Sequence, residues 1–423
     1  MGLPYRLLLF CILGIGLKLG AQDVSQARKV VRELCSDDFA GRGYVEEGTS
    51  KTLKFLQQEF KKYKLQPLSD GFLQPFAYQA VAYPEMVRLV ADGIDLIPGE
   101  EFLADAGFPT LKGIFQLLRV DSAMLDNGIQ FEKLKKQNLR NTFLIVDEVK
   151  SWNLLHPERA QVILTNEIGA RGHAYVKVEN LVWSVAHEFS KLPVLRIKKG
   201  VLKEPVLKLE MNIEAQITVL SSANAVGYVK GKKYPDSFLV VTAHFDHLGK
   251  FGANTIFPGA NDNASGVAMM LDLAAWFSKN QPDFSVVFIA FGGEEAGLLG
   301  SLYFTENPLI PLTKIRFLLN LDLMGTGDKG LTAVNGSIYP NEFSLLQTCN
   351  SIGSYLPAIN ARGKAANSDH YYFSEKGVPA LFVYLMGDYH HYHDPGDSYE
   401  NLPFSKYTES FLLLKDFLEA LQD

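Results

Sequence analysis

The sequence predicts an α/β protein in which a largely parallel sheet is flanked by helices, with a separate, mostly β module beside it. Three observations carry that expectation. From Asp236 onward strand-like and helix-like runs alternate; residues 80–208 break instead into short apolar runs; and polar clusters stand just past the strand ends. At 423 residues the chain exceeds one ordinary core, so a large domain plus a smaller one is expected.

Over residues 24–64 the apolar positions Leu53, Leu56, Phe60 and Tyr63 recur at helical spacing, and DDFAGRG around Gly41 and Gly43 interrupts them, which predicts two helices and a turn. The runs 87–90, 142–146, 162–165 and 192–197, bounded by polar, Gly and Pro turns, read as strands of the β module. Further on, 238–243, 285–291, 315–321 and 379–385 read as strands, and 264–279 and 406–421 as helices. Such alternation builds a sheet covered on both faces, and ligands of such sheets sit beyond the carboxyl ends of the strands.

Hydrophobic residues make up 47% and charged residues 21%, enough apolar surface for packed cores and no sign of bulk disorder. With 41 basic and 47 acidic residues the net charge is −6, the wrong sign for a protein whose partner is a polyanion, so nucleic acid binding is not expected. At the start, Arg6 precedes an apolar run over residues 7–17, followed by Gly20 and Ala21, the order of a signal peptide over residues 1–21. A lipid anchor on Cys11 is disfavoured by bulky Phe10. The run is shorter than the roughly 20 residues of a membrane-spanning helix, and no later segment replaces it. A secreted or periplasmic location is the resulting expectation. Beyond the leader only Cys35 and Cys349 remain, which excludes a disulfide framework and a thiolate metal site; whether they pair is not legible in the sequence, nor is the oligomeric state.

The polar clusters carry the chemistry. His244 and Asp246 follow the run 238–243, Glu294 and Glu295 follow 285–291 across Gly292 and Gly293, and Asp322 follows 315–321, so all should converge on one sheet edge. Asp262 lies in PGANDNASG, ahead of a helix for which Asn263 is the expected N-cap. The last cluster, HHYHDPGDS, carries His393. Histidines and an excess of carboxylates without Cys suit zinc or a neighbouring divalent ion, and two ions sharing a bridging Asp would offset the crowded charge. In isolation Glu294 and Glu295 also fit a charged first helical turn. Their place between a buried strand and a helix, in series with four other clusters, argues for chemistry.

The motifs AHFDHLG, GANDNASG, FGGEEAGLLGS, LNLDLMG and YHDPGDS, in this order, resemble the M28 family of zinc aminopeptidases, the peptidase Q and Y type. The resemblance implies the zinc exopeptidase fold, a mixed, largely parallel sheet, and two zinc ions. His244, Asp262 and Asp322 would hold one ion and Asp262, Glu295 and His393 the other, with Asp262 as the bridge. Glu294 would be the general base, and Asp246 would orient His244. His390 and His391 could stand in for His393, which is preferred because Asp397 follows it at the family's spacing. For His247 a hydrogen bond within its own loop is expected rather than a metal role, and Asp369 and His370 in NSDHYYF are expected to line the pocket or serve structure.

The stretch 37–67 resembles the family's opening helices, which makes the peptidase domain discontinuous: 22–80 and 211–423, with 81–210 inserted. Through GARGHAYVKVEN, with Arg171 and Gly172, and LPVLRI, the insert resembles a protease-associated domain. Trp276 is expected in the core, and Trp152 and Trp183 also lie outside the five motifs. The implied activity is hydrolysis of a peptide bond next to a free amino terminus. Three competitors share the fold. A glutaminyl cyclase type would need one zinc and a Trp-lined pocket, and no Trp is adjacent in sequence to Glu295 or His393. A carboxypeptidase or dipeptidase of the same fold would differ in its pocket loops, and a carboxypeptidase would need a cationic grip on a terminal carboxylate, for which Lys250, Arg362 and Lys364 are the nearest candidates. A binding protein that had lost catalysis should have lost ligands.

Overall fold

Four strands, Phe284–Phe291, Tyr234–His244, Ile315–Asp322 and Ala380–Met386, lie side by side and parallel at the centre of the main sheet. The computed structural model describes residues 24–147, 155–202 and 206–422; the expected leader, with Cys11, and Trp152 lie outside the described residues. Strand Gln216–Val229 pairs antiparallel beside Phe284–Phe291, and Gly330–Val334 antiparallel beside Ala380–Met386, so the nine-stranded sheet is mixed with a parallel centre.

The alternation of side chains along these strands sorts them between two cores. Leu239, Val241, Ala243, Phe288, Leu319 and Val383 face helices Val24–Leu34, Gly266–Lys279 and Tyr407–Ala420. Val240, Val287, Ile289 and Leu318 face the other way, against Phe304 of helix Leu299–Glu306 and Phe373 of helix His370–Glu375. Phe284–Phe291 is buried along its whole length, as a strand covered on both faces must be. Trp276 is half-buried against the first core, its indole N–H on Glu419 Oε1 at 2.8 Å. Cys35 and Cys349 are not bonded to each other.

A second, eight-stranded sheet is built between Arg88 and Ile213, and the chain enters and leaves it along the antiparallel pair Leu73–Ala82 and Gln216–Val229. Among the described residues it carries three parallel pairings and three helices, Ser122–Asp126, Gly128–Lys135 and Pro157–Leu164, with their own small core around Leu125, Phe131 and Ile163. The module is therefore less purely β than expected. Residues 162–165, read as a strand, lie at the end of helix Pro157–Leu164: Pro157 starts that helix, and Ala160 and Ile163, three apart, are its buried face. A core shared with the main domain joins Tyr83, Phe102 and Trp183 to Phe251 and Phe257.

Candidate metal centre

Because the central strands are parallel, their last residues reach one edge together. His244 ends Tyr234–His244, Asp322 ends Ile315–Asp322, and Glu294 follows Phe284–Phe291 through Gly292 and Gly293, where Gly293 takes φ 70°. Asp262 arrives from the turn Ala260–Ser265. Gly259 at its start is left-handed, and a Cβ there would stand 2.2 Å from Asp262 O and 2.5 Å from the His247 ring. Asn263 Oδ1 accepts the Gly266 N–H at 2.9 Å, the bond expected of an N-cap, although Ser265 is already helical.

Asp262 faces two histidines at once: Oδ1 is 3.3 Å from His244 Nε2 and Oδ2 is 3.1 Å from His393 Nε2. Asp322 Oδ2 lies 3.4 Å from His244 Nε2, and Glu295 Oε2 lies 3.2 Å from His393 Nε2. His390 and His391 are exposed, and His391 bonds Asp394 instead, so His393 is the histidine of its loop that reaches the cluster. Two sets of ligand atoms fall within 4.8 Å of one another, His244 with Glu294 and Asp322, and His247 with Asp262 and Glu295. The second set competes with His393. We weigh His393 more heavily, because its Nε2 meets oxygens of both Asp262 and Glu295, whereas His247 Nδ1 meets only Glu295 Oε1, at 2.7 Å. That contact departs from the expected bond within the His247 loop: the loop folds back onto the Glu294–Glu295 turn.

Four further residues support the cluster. The His244 Nδ1–H is held by the main-chain carbonyl of Asp246 at 3.1 Å, while the Asp246 carboxylate, 4.0 Å from that nitrogen, accepts the N–H groups of Glu294 and Glu295 at 3.1 and 3.3 Å. The reason is that the strand ends at His244, so Asp246 lies in the following loop and its carboxylate points across to the next strand end. Asp397 serves Asp262: its carboxylate accepts the Asn261 and Asp262 N–H groups at 2.8 and 3.0 Å and the Tyr389 hydroxyl at 2.7 Å. Trp183, distant in sequence, meets His393 through its main chain, with its indole turned into the shared core. Arg42, in the turn ahead of the second helix, is wholly buried and donates to the carbonyls of Leu34, Phe245, Pro258 and Gly259, tying the His244 and Asp262 loops together. Of these supports, Asp246, Asp397 and the glycines of the DDFAGRG turn left a mark in the sequence, and the Trp183 and Arg42 contacts did not.

Electrostatics separates the two neighbouring glutamates. Burial, with the charge of Glu295 adding to it, raises Glu294 well above the usual carboxylate range against the pull of His244. Glu295 is held at about 2, because His393 and His247 outweigh both burial and repulsion from Asp262. Burial pushes Asp246 up to about 6 and Asp369 up to about 7. Asp262 lies well below its usual value, since hydrogen bonds from His244 and His393 overcome burial. Asp369 and His370 are both fully buried.

Among the described residues, the ion pairs of these carboxylates are all with histidine. Lys250 is bonded to Glu46, Arg362 to the Tyr384 hydroxyl and Lys364 to Glu375. Asp322 Oδ1 and His247 Nε2 are buried without a hydrogen-bond partner. So dense a set of buried carboxylates and imidazoles, unmatched by Lys or Arg and free of thiolate, fits divalent cations.

Aminopeptidase YwaD of Bacillus subtilis is 30% identical over 230 residues, 50% of this chain and 47% of that protein. A probable zinc metalloprotease of Pyricularia oryzae is 38% identical over 114 residues, 26% of this chain and 22% of its own length. The chain thus spans less than half the length of these curated relatives. A Peptidase M28 precursor from Shewanella amazonensis superposes with TM-score 0.68 at 15% identity, over 95% of this chain and 94% of that one. BSAP, a zinc aminopeptidase from Bacillus subtilis, does so with TM-score 0.67 at 21%, over 94% of each chain. Likeness at such identity establishes the fold. The model of peptidase family M28 matches residues 224–417, a stretch that contains all five motifs.

Proposed function

We propose that the protein is a dizinc aminopeptidase, cleaving the peptide bond next to a free amino terminus. The observation that carries this reading is Asp262 turning one oxygen to His244 and the other to His393, as a carboxylate shared by two ions would. His244, Asp262 and Asp322 would hold one zinc, and Asp262, Glu295 and His393 the other. When bound, the zinc pair polarises the scissile carbonyl and lowers the pKa of the attacking water.

The chain's own residues do the rest. Glu294, half-buried just past the end of its strand, takes the proton of the attacking water at its carboxylate and returns it to the leaving amine. Glu295, next in sequence, stays ionised as a ligand; environments that push two acids apart mark their separate roles. The Asp246 carboxylate, accepting both glutamate N–H groups, fixes the turn that aims them, and its main-chain carbonyl fixes the His244 tautomer.

The substrate end follows from charge. The cluster is acidic, and the three candidate basic side chains, Lys250, Arg362 and Lys364, are engaged elsewhere, which favours a protonated terminal amine over a terminal carboxylate. The same engagement weighs against a carboxypeptidase. The Trp183 indole, 2% exposed and bonded to Ala104 O, does not supply a cyclase's Trp-lined pocket. The residues 81–210 would be a protease-associated-like insert in a discontinuous peptidase domain. The test compares a peptide with a free amine, its acetylated form and its C-terminally amidated form. Acetylation should abolish cleavage and amidation change little; the reverse pattern would reject the aminopeptidase reading.

A further inference from the structure

A histidine that binds metal through one ring nitrogen needs a fixed acceptor for the N–H of the other, which sets both tautomer and ring angle. For His244 that acceptor is its own loop, Asp246 O. For His393 it comes from the inserted module: Nδ1–H donates to Trp183 O at 3.0 Å, and Trp183 N–H donates back to His393 O at 3.0 Å. The reciprocal pair clamps a residue that is itself left-handed, with φ 52°, a conformation that persists in a non-glycine residue only where its surroundings over-determine it.

The clamp is anchored deep. The Trp183 indole is 2% exposed, stacks on Phe257 at 4.9 Å and donates its N–H to Ala104 O at 3.0 Å. Four residues on, His187 bridges Gln79 O at 2.8 Å and Ala296 O at 2.7 Å, so the same loop also touches the chain just after Glu295. On its open side the His393 ring is stacked by Tyr392, at 4.0 Å and 13°.

From this arrangement we infer that Trp183 is a positioning residue for His393, making the inserted module a working part of one half of the metal centre, the half formed with Glu295. The inference rests on the two-ion reading above. Among the described residues, the Asp322–His244 half takes no such main-chain support from the insert, so the two ions should respond differently to a change at Trp183.

The test is stepwise zinc affinity in the full chain, measured by competition with a chromophoric chelator, for the wild type, Trp183→Ala, Trp183→Phe and Phe143→Ala. Phe143 is fully buried in the same core as Trp183, where it packs on Phe115, and among the described residues it has no bond to His393, so it controls for loss of stability alone. Trp183→Ala should weaken one ion by about 10–100-fold and leave the other unchanged. Trp183→Phe, which keeps an aromatic ring but loses the bond to Ala104, should weaken the same ion by up to about tenfold, and it carries the test if Trp183→Ala does not fold. Phe143→Ala should lower Tm without moving either constant. Unchanged constants in the Trp183 variants, or an equal shift in Phe143→Ala, overturn the inference while leaving the dizinc reading intact. A wild type that takes up a single ion overturns both.

Discussion

The two sheets of this molecule treat buried carboxylates in opposite ways. Past the parallel strands of the insert, Asp147 has a side chain only 1% exposed, and it is matched: Arg119 lies 2.5 Å away and Val176 N–H donates to it at 2.7 Å. Past the parallel strands of the main sheet, Asp246, Asp262, Glu294, Glu295, Asp322 and Asp369 crowd together with histidines and, among the described residues, form no ion pair with Arg or Lys. Burying charge without compensation costs several kcal/mol per group, so the second arrangement implies a cation that the first does not need. The same kind of sheet edge thus carries a structural ion pair in one domain and the proposed metal centre in the other.

The sharpest way to break that contrast is at Glu294. If it is the base and Glu295 the ligand, Glu294→Gln should keep its zinc and its fold while turnover drops about 100–10,000-fold or more. Steady-state kinetics beside elemental analysis decides this, and a variant that loses zinc instead would mean that the two glutamates have exchanged roles. Next in size is removal of the metal itself. Chelation should abolish activity and lower the Tm of the main domain by roughly 5–10 °C, as expected when a ligand held at about 100-fold over its Kd is withdrawn, and zinc should restore both. A Tm indifferent to chelation would say that the carboxylates are neutralised some other way. The smallest effect belongs to the insert: Asp147→Asn should cost about 1–3 kcal/mol in denaturant unfolding and leave zinc content unchanged. Loss of zinc there would erase the distinction between the two edges.

Much of this is legible in the sequence, for a physical reason. Parallel strands buried on both faces leave apolar runs that are easy to see, and their ends must share an edge, so strand order alone brings His244, Glu294, Glu295 and Asp322 together. What the sequence hides acts through the main chain. Trp183 holds His393 by a carbonyl 210 residues away, Arg42 grips carbonyls more than 200 residues downstream, and Asp246 reaches His244 by its backbone oxygen. A carbonyl is common to every residue, so such contacts leave no side-chain pattern to read. The run 162–165 misleads differently, since four apolar-rich residues fit a strand or a helix end equally well.

The metal centre as described depends above all on Asp262 being shared by two ions whereas Asp322 serves one, and zinc content after dialysis tests this most directly. With the wild type holding two ions per chain, Asp262→Asn should lose both, and Asp322→Asn should lose mainly one and keep the ion at Glu295 and His393. Equal losses in the two variants would contradict the shared carboxylate and with it the division of the site into two halves.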